Sequence, residues 1–157
     1  MKVSVVVPTY YRPEDLSELF DSLLMQTVKP LEVIAVDDTP NNTIKAVCEK
    51  YEDKFDSLRS KLIYIKNTRE RSASISRNLG MKLSRGELIM FLDSDVIIYP
   101  DYIQRILEVF RKYPYALGVH GWITDFIGKK FHSSFHQIIR RIFFLGCYTR
   151  DSCRWWE

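Results

Sequence analysis

Glycine is scarce in this sequence, and it is missing where a phosphate-binding backbone would need it. The chain has six glycines among 157 residues, and the segment 8–12, which follows the first apolar run, contains none. A dinucleotide-binding Rossmann domain carries G-x-G-x-x-G at that point, because glycine lets the backbone approach a pyrophosphate closely, and a P-loop is likewise rich in glycine. Both patterns are absent, so a diphosphate would have to be neutralised by a metal ion or by side chains.

Long apolar runs and a large excess of one charge are also missing. No apolar run approaches the roughly 18 residues that a membrane span requires. With 23 basic and 20 acidic residues the formal net charge is +3, which suits a phosphate-bearing ligand or an anionic surface but falls short of a nucleic-acid footprint. We therefore expect no membrane-spanning helix and no nucleic-acid partner.

Cysteine is sparse, and its number is odd. Cys48, Cys147 and Cys153 cannot all pair within one chain. The first seven residues hold a single lysine and a very short apolar run, which does not match a signal peptide. A reducing, cytoplasmic setting is the expectation.

The residues that are present predict one folded α/β domain. Hydrophobic residues make up 46% of the chain and aromatic residues 13%, which is typical of a globular core. Strands are predicted at residues 3–7, 31–36, 62–65, 88–92 and 116–123, with Pro8 ending the first. Helical repeats begin at Leu16, Ile44, Ile75 and Ile103, and the third helix is expected to bury Ile75, Leu79 and Leu83. This alternation predicts βαβ units and a parallel sheet.

In such a sheet the loops that follow the strands share one edge, where ligands bind. The run 88–92 ends there at Asp93-Ser94-Asp95. Two carboxylates one residue apart can clamp a divalent cation whose remaining ligands are water and substrate phosphates, while the alternative is a simple Asx turn. Arg77 is a further cation that could help to neutralise a diphosphate.

Four motifs in order carry a resemblance to a known family. They are Val5-Val6-Val7-Pro8-Thr9-Tyr10, Val36-Asp37-Asp38, Ser76-Arg77-Asn78-Leu79-Gly80, and Gly86-Glu87 followed by Phe91-Leu92-Asp93-Ser94-Asp95. From Val3 to about Pro100 the chain resembles the family 2 glycosyltransferases, an inverting family with the GT-A fold, which is a Rossmann-like, mostly parallel sheet flanked by helices. It departs from the family pattern at Tyr11, where Asn is usual, and at Thr39-Pro40, where Gly-Ser is common.

The resemblance implies a metal-dependent inverting glycosyltransferase that uses a nucleotide-sugar, with UDP- and GDP-sugars favoured, and a saccharide or lipid-linked acceptor. By this likeness Pro8, Thr9 and Tyr10 line the nucleotide pocket, Asp38 meets the base, Arg77 lies near the diphosphate or base, and Asp93 and Ser94 lie near the ribose. Asp95 would be the lead ligand, with Asp93, for Mn²⁺ or Mg²⁺. Asp37 is read either as a turn acid or as a contact.

The same likeness predicts a single GT-A-type domain over residues 1–157, truncated, with a nucleotide-sugar-binding half at 1–100 and the start of an acceptor half at 101–157. Inversion needs a general base for the acceptor hydroxyl. Glu157 is the leading candidate, ahead of Asp125 and Asp151. The alternative is a nucleotide-sugar-binding module that lacks its base. A nucleotidyltransferase would need a glycine- and arginine-rich loop after the first strand, which is missing.

Two further features of the C-terminal part have two interpretations each. His132 and His136 stand four residues apart near Cys147 and Cys153, so they form either a zinc site or ordinary surface and core residues. The amphipathic segment 131–144 either contacts an anionic membrane or packs on the sheet.

Overall fold

The computed structural model describes residues 1–121 and the backbone of residues 147–149. Its strands are β1 (Val3–Thr9), β2 (Glu32–Asp37), β3 (Lys61–Lys66), β4 (Leu88–Phe91), β5 (Gly118–Val119) and β6 (Cys147–Thr149). Its helices are α1 (Pro13–Leu24), α2 (Thr43–Ser57), α3 (Ala73–Leu83) and α4 (Tyr102–Lys112). Strand and helix alternate from β1 to α4, as the sequence predicts.

The strands form one mostly parallel sheet in the order β3-β2-β1-β4-β6-β5. The first four are parallel to one another, whereas β6 runs antiparallel to both β4 and β5. The predicted α/β sheet with flanking helices is therefore confirmed. Because β1 to β4 run the same way, the loops that follow them emerge at one edge of the sheet.

Helices cover both faces of the sheet and create two apolar layers. The larger layer buries Val5 and Met90 of the sheet beneath α1, α2 and α4, with Leu19 and Ile103 fully excluded from solvent. The smaller layer holds Val6, Ile34, Val36 and Ile89 beneath α3. Strands buried on both faces explain the near-continuous apolar runs in the sequence.

The prediction that Pro8 ends β1 is wrong, since β1 continues to Thr9 and Pro8 pairs with Val36. Even-numbered residues of β1 direct their backbone groups at β4, as the hydrogen bond from Leu92 N–H to the Val6 carbonyl shows. The pairing with β4 ends at Val6. Pro8 therefore lacks its N–H at a position where no neighbouring strand remains to accept it.

Two other expectations need correction. The second strand spans Glu32–Asp37 rather than 31–36, because the Asp37 side chain turns inward and is fully buried. Leu83 is 46% exposed, and α3 instead buries Ser76 and Gly80 against the sheet. A Cβ on Gly80 would come within 2.3 Å of Val6 Cγ1. The small residues allow α3 to approach β1 closely.

The predicted fifth strand is present at Gly118–Val119, while residues 122 and 123 lie outside the described part of the chain. Segment 131–144, His132, His136 and Cys153 also lie outside it, so the interpretations offered for them stay predictions, as does the division at residue 100. None of the helices in the described ranges has the length and apolar character of a membrane-spanning segment.

Candidate functional site

A cleft of about 460 Å³ opens at the carboxyl edge of the parallel strands. It is lined by Pro8, Thr9, Tyr10 and Arg12 from β1 and the loop after it, Asp38 after β2, Arg71, Ser72 and Ala73 where α3 begins, and Asp93, Ser94 and Asp95 after β4. Four separate loops thus contribute side chains to one cavity, at the location that an open α/β sheet reserves for ligands.

The two acids at the end of β2 have different surroundings, since Asp37 is buried and Asp38 faces the cleft. Asp37 is fully buried and accepts hydrogen bonds from the Tyr64 hydroxyl (2.8 Å), the Lys66 ammonium (3.0 Å) and the Thr39 N–H (2.7 Å). Burial, followed by the contact with Asp37, raises the pKa of Tyr64. Asp37 therefore holds the turn, which agrees with its interpretation as a turn acid, and leaves Asp38 to face the cleft.

Asp38 is held by two side chains, one directly after β3 and one in the first turn of α3. Asn67 Nδ2 donates to one carboxylate oxygen (2.5 Å), and the Ser76 hydroxyl donates to the other (2.8 Å). Asn67 Oδ1 also accepts from the Arg69 N–H at 2.9 Å. Because both oxygens are engaged, the carboxylate is fixed in one orientation at the cleft.

Each aspartate after β4 is paired with an arginine. Arg77 Nη2 donates to Asp93 Oδ1 at 2.6 Å, and Arg12 Nη1 donates to Asp95 Oδ2. Arg77 is largely covered on α3, whereas Arg12 and Asp95 are each about half exposed. The two guanidinium groups stand beside the two carboxylates, and Ser94 between them is buried.

Aromatic and cationic groups form the opposite wall of the cleft. The guanidinium of Arg71 lies 4.6 Å from the centre of the Tyr10 ring, and its Nη1 donates to the Tyr10 hydroxyl at 2.5 Å. Tyr10 also meets Tyr11 edge to face, with ring centres 4.6 Å apart. This contact joins the loop after β1 to the loop after β3 and presents a flat, half-exposed ring to solvent.

The two departures from the family pattern contact each other. Tyr11 has a φ of 52°, in the left-handed region where Asn is several-fold enriched among non-glycine residues. Its backbone N–H donates to the Thr39 hydroxyl at 3.0 Å, and Thr39 is fully buried. The hydroxyl of Thr39 thus supports the unusual backbone of Tyr11.

Two buried polar atoms beside the cleft have no hydrogen-bond partner in the described part of the chain. They are the hydroxyl of Thr9, which is 3% exposed, and Nε of Arg77. A buried polar group without a partner is unfavourable by about 1–3 kcal/mol. The hydroxyl of Thr9, which lines the cleft, is a group that a polar ligand there can satisfy.

The donor set fits a divalent cation only as a shared site. Asp93 and Asp95 supply hard oxygen ligands, and one oxygen of each already accepts a hydrogen bond from a guanidinium. Across residues 1–121 no cluster of three or more histidine, cysteine or acidic side chains could hold a metal alone. The remaining ligands would therefore have to be water and phosphate oxygens, as is usual for Mg²⁺ with nucleotides.

The structure brings together seven of the residues predicted from the sequence: Pro8, Thr9, Tyr10, Asp38, Asp93, Ser94 and Asp95. Arg77 lies behind this lining and reaches Asp93. Glu157, Asp125 and Asp151 lie outside the described residues, so the general base stays a prediction. The roles of all these residues are likewise predictions.

The sequence did not assign Arg12, Arg71, Ser72 or Ala73 to the site. Arg12, Arg71 and Ser72 lie on loops at the carboxyl edge, and Ala73 begins α3. Their expected position at that edge was the available sign that they belong to the site. The contacts with Asp95 and Tyr10 depend on side-chain geometry that spacing does not give.

The fold and the cleft define an α/β domain with an acid- and arginine-lined cavity at the end of its parallel strands. The profile of the family described as "Glycosyl transferase family 2" matches residues 4–155. The chain therefore belongs to glycosyl transferase family 2, as its motifs indicate.

Relatives agree with this assignment. The glucosyl-dolichyl phosphate glucuronosyltransferase of Haloferax volcanii is 31% identical over 156 residues, which cover 96% of this chain and 46% of that protein. The validoxylamine A glucosyltransferase of Streptomyces hygroscopicus is 32% identical over 139 residues, which cover 87% of this chain and 30% of that protein. The chain thus spans half or less of the length of these relatives.

Solved structures confirm the GT-A fold. TarS 1-349 of S. aureus, in complex with UDP-GlcNAc, has a TM-score of 0.69 and 26% identity, covering 96% of this chain and 46% of that one. The mannosyltransferase PcManGT of Pyrobaculum calidifontis, in complex with GDP-Man and Mn²⁺, has a TM-score of 0.75 and 18% identity, covering 96% and 45%. The latter shows the likeness of fold alone.

Proposed function

We propose that the chain is the nucleotide-sugar-binding part of a metal-dependent, inverting glycosyltransferase. The observation that carries the proposal is the convergence of Asp38, Asp93 and Asp95 in one cleft at the carboxyl edge of a parallel sheet. Family membership supports the reaction class. The chain's own activity, donor and acceptor are parts of this proposal.

The donor is a nucleotide-sugar, with UDP- and GDP-sugars as the first candidates. TarS is solved with UDP-GlcNAc and PcManGT with GDP-Man, which supports this class of ligand. In this chain the ring of Tyr10 offers a stacking surface, and the fixed carboxylate of Asp38 can accept hydrogen bonds from the N–H groups of a base.

A divalent cation, Mn²⁺ or Mg²⁺, is held by Asp93 and Asp95 together with the donor's phosphates. When bound, it stabilises the negative charge that develops on the leaving diphosphate. Arg77 keeps Asp93 in position and adds positive charge beside the diphosphate. The absence of a glycine-rich loop after β1 makes this role of the charged side chains necessary.

Inversion requires that the acceptor oxygen attack the anomeric carbon while the bond from that carbon to the diphosphate oxygen breaks. The nucleoside diphosphate leaves, and a general base takes the proton of the acceptor hydroxyl. We propose Glu157 for this base. The cleft residues described above bind and orient the donor, and none of them has this second role.

A second candidate function is a nucleotide-sugar-binding module without catalysis. In the described part of the cleft the carboxylates are Asp38, Asp93 and Asp95, and each is already engaged by hydrogen bonds or an arginine. None of these described carboxylates is available to take the proton of the acceptor hydroxyl. If Glu157 does not supply the base, this favours the binding module.

Calorimetric titration with UDP and GDP, with and without Mn²⁺, tests the proposed binding site. We expect Mn²⁺ to strengthen the binding of at least one diphosphate at least tenfold in the wild-type chain. In Asp95→Ala this gain should fall to less than about threefold, because one of two protein ligands is lost. Asp101→Ala, which removes an exposed carboxylate outside the cleft lining, is the matched control.

Undiminished metal dependence in Asp95→Ala would show that the metal site is elsewhere. Sugar release or transfer from UDP-GlcNAc and GDP-mannose with Mn²⁺ then separates the enzyme from the binding module. Nucleotide binding without turnover across a broad acceptor panel, in a longer chain as well, rejects the enzyme. Turnover in a longer chain that is unaffected by Glu157→Gln rejects Glu157 as the base.

We further propose a cytoplasmic location with a lipid-linked or saccharide acceptor and peripheral membrane contact through segment 131–144. The unpaired, buried thiol of Cys48 is compatible with a reducing compartment. Flotation of the chain with anionic and with neutral vesicles tests the membrane contact, and binding to neither vesicle would reject it.

A further inference from the structure

The ion pair between Arg12 and Asp95 crosses the mouth of the cleft. Arg12 immediately precedes α1, Asp95 follows β4, and 83 positions of sequence separate them. The side chains are 49% and 45% exposed, so neither is confined by packing. An exposed pair of this kind is worth about 0.2–1 kcal/mol, which a stronger competitor for either partner can overcome.

A divalent cation is such a competitor for Asp95. A metal ion bound at a carboxylate oxygen excludes a guanidinium from the same oxygen, because the two positive charges repel and need the same lone pairs. Arg12 has a second acid within reach, since its Nη1 lies 4.0 Å from Oδ2 of Asp15 on α1. The guanidinium can therefore leave Asp95 without losing every acidic neighbour.

The net charge of the cleft changes when each ligand binds. Among the described residues in and beside the cleft lining there are three carboxylates, Asp38, Asp93 and Asp95, and three guanidiniums, Arg12, Arg71 and Arg77, so their formal charges balance. A divalent cation alone gives this set of side chains a net charge of +2. The diphosphate of a nucleotide-sugar adds two negative charges and restores the balance.

We propose that Arg12 is a donor-binding residue that is held on Asp95 until the cation arrives and then moves to the diphosphate. This inference rests on the proposed function, because it assumes that Asp95 binds the cation. It assigns to Arg12 two opposite effects. The residue opposes the binding of metal in the absence of nucleotide, and it strengthens the binding of nucleotide in the presence of metal.

The first effect is measured with Mn²⁺ alone, by the electron paramagnetic resonance signal of the free ion. Arg12→Ala should bind Mn²⁺ about threefold to fivefold more tightly than the wild type, the range that the loss of an exposed ion pair allows. Arg71→Ala is the matched control, because it also removes a guanidinium from the cleft lining, but one that donates to Tyr10 instead of to a carboxylate. Its effect at about 0.15 M salt should stay below about twofold.

The second effect is measured by calorimetry with UDP and GDP at saturating Mn²⁺. Arg12→Ala should bind the preferred diphosphate about tenfold more weakly, since it lacks a charge-assisted hydrogen bond to phosphate. Arg105→Ala, which removes an exposed guanidinium paired with Asp101 outside the cleft lining, should leave both affinities unchanged. Thermal unfolding of each variant confirms that the fold is intact.

Unchanged Mn²⁺ affinity in Arg12→Ala, or equal tightening in Arg71→Ala, overturns the inference. Nucleotide binding that is not weakened overturns it as well. These results are distinct from a failure of the proposed function, because that failure appears either as metal-independent nucleotide binding in the wild type or as undiminished metal dependence in Asp95→Ala. Metal-dependent binding in the wild type with no effect of Arg12 rejects the role of Arg12 alone.

Discussion

At the scale of single residues, two positions in the described part of the chain have a backbone that favours glycine. Tyr11 and Arg59 have φ values of 52° and 58°. Arg59 follows the end of α2, where its N–H donates to the Asp56 carbonyl (2.9 Å) and the Ser60 N–H donates to the Phe55 carbonyl (3.1 Å). Glycine commonly occupies this position after a helix, because it has no Cβ that clashes in the left-handed region.

Arg59→Gly should therefore stabilise the protein by about 0.5–1 kcal/mol, raising Tm by about 1–4 °C. Urea unfolding monitored by circular dichroism measures the change. Lys50→Gly, an exposed position in the interior of α2, is the control and should lose about 1 kcal/mol. Destabilisation by both substitutions would contradict the left-handed assignment of Arg59.

Tyr11 differs from Arg59 because its side chain is engaged. Asn at this position would relieve the backbone but lose the edge-to-face contact with Tyr10, worth about 0.5–1.5 kcal/mol. The two effects are of similar size and opposite sign. Tyrosine at position 11 therefore has a less favourable backbone than asparagine but gains an aromatic contact at the cleft. The hydroxyl of Thr39 stabilises this backbone by accepting the Tyr11 N–H.

At the scale of elements, the position of α3 depends on Gly80. A Cβ at this residue would lie 2.3 Å from Val6 Cγ1, 3.2 Å from its Cγ2 and 3.3 Å from its Cβ. Valine is branched at Cβ and has little freedom to move aside within a strand. The same helix carries Ser76 and Arg77, which hold Asp38 and Asp93. The packing of α3 thus sets the geometry of the cleft.

Gly80→Ala should destabilise the protein by about 2 kcal/mol or more, because the clash forces α3 away from β1. Val6→Ala alone should also destabilise by leaving a cavity. In the double variant the shortened side chain on β1 makes room for the methyl group added on α3, so the loss should be clearly less than the sum of the two. Urea unfolding of the wild type, both single variants and the double variant gives the coupling, and strictly additive losses would contradict the close approach.

At the scale of the whole molecule, a buried acid joins β1 and β2 to the segment before β4, at the edge opposite the cleft. Glu32 is fully buried at the start of β2 and accepts hydrogen bonds from the Ser4 hydroxyl (2.7 Å), the Arg85 N–H (2.6 Å) and Arg85 Nε (2.9 Å). Ser4 Oγ in turn accepts from the Gly86 N–H (2.8 Å). Burial by itself raises the pKa of Glu32, but the hydrogen bonds from Ser4 and Arg85 hold it below its usual value of 4.5.

A carboxyl whose pKa is lower in the folded than in the unfolded state stabilises the fold above the unfolded value and loses that contribution as the pH falls through the folded value. The free energy of unfolding should therefore decrease below about pH 4.5. Glu32→Gln should lower it by about 2 kcal/mol at pH 7 and remove part of this pH dependence. Glu87→Gln, an exposed acid, is the control and should change neither. Identical acid profiles for Glu32→Gln and the wild type would contradict the assignment.

Much of the fold follows from patterns that the sequence displays directly. Runs of β-branched residues and helical repeats placed β1 to β4 and α1 to α4, since burial on both faces requires continuous apolar strands. These patterns did not predict that Pro8 belongs to β1 or that Asp37 belongs to β2. Both assignments depend on where a neighbouring strand stops and on whether partners such as Tyr64 satisfy a buried acid.

The candidate site was predictable to the level of its loops. Asp38, Asp93 and Asp95 follow strand ends, and the topology rule places strand ends together. The partners of these acids were not predictable, because Arg12 meets Asp95 across 83 positions through side-chain conformations that no local pattern encodes. Asn67 likewise reaches Asp38 from another strand.

The assembly of the cleft from four loops has a consequence for measurement. The residues that line it lie between Pro8 and Asp95 and follow different strands of the sheet. The cleft therefore exists only when these strands are paired. A ligand that binds the native chain and not the unfolded one therefore raises the melting temperature of the entire domain with its concentration. Thermal shift with nucleotide and metal panels is thus a direct way to rank candidate donors before any acceptor is known.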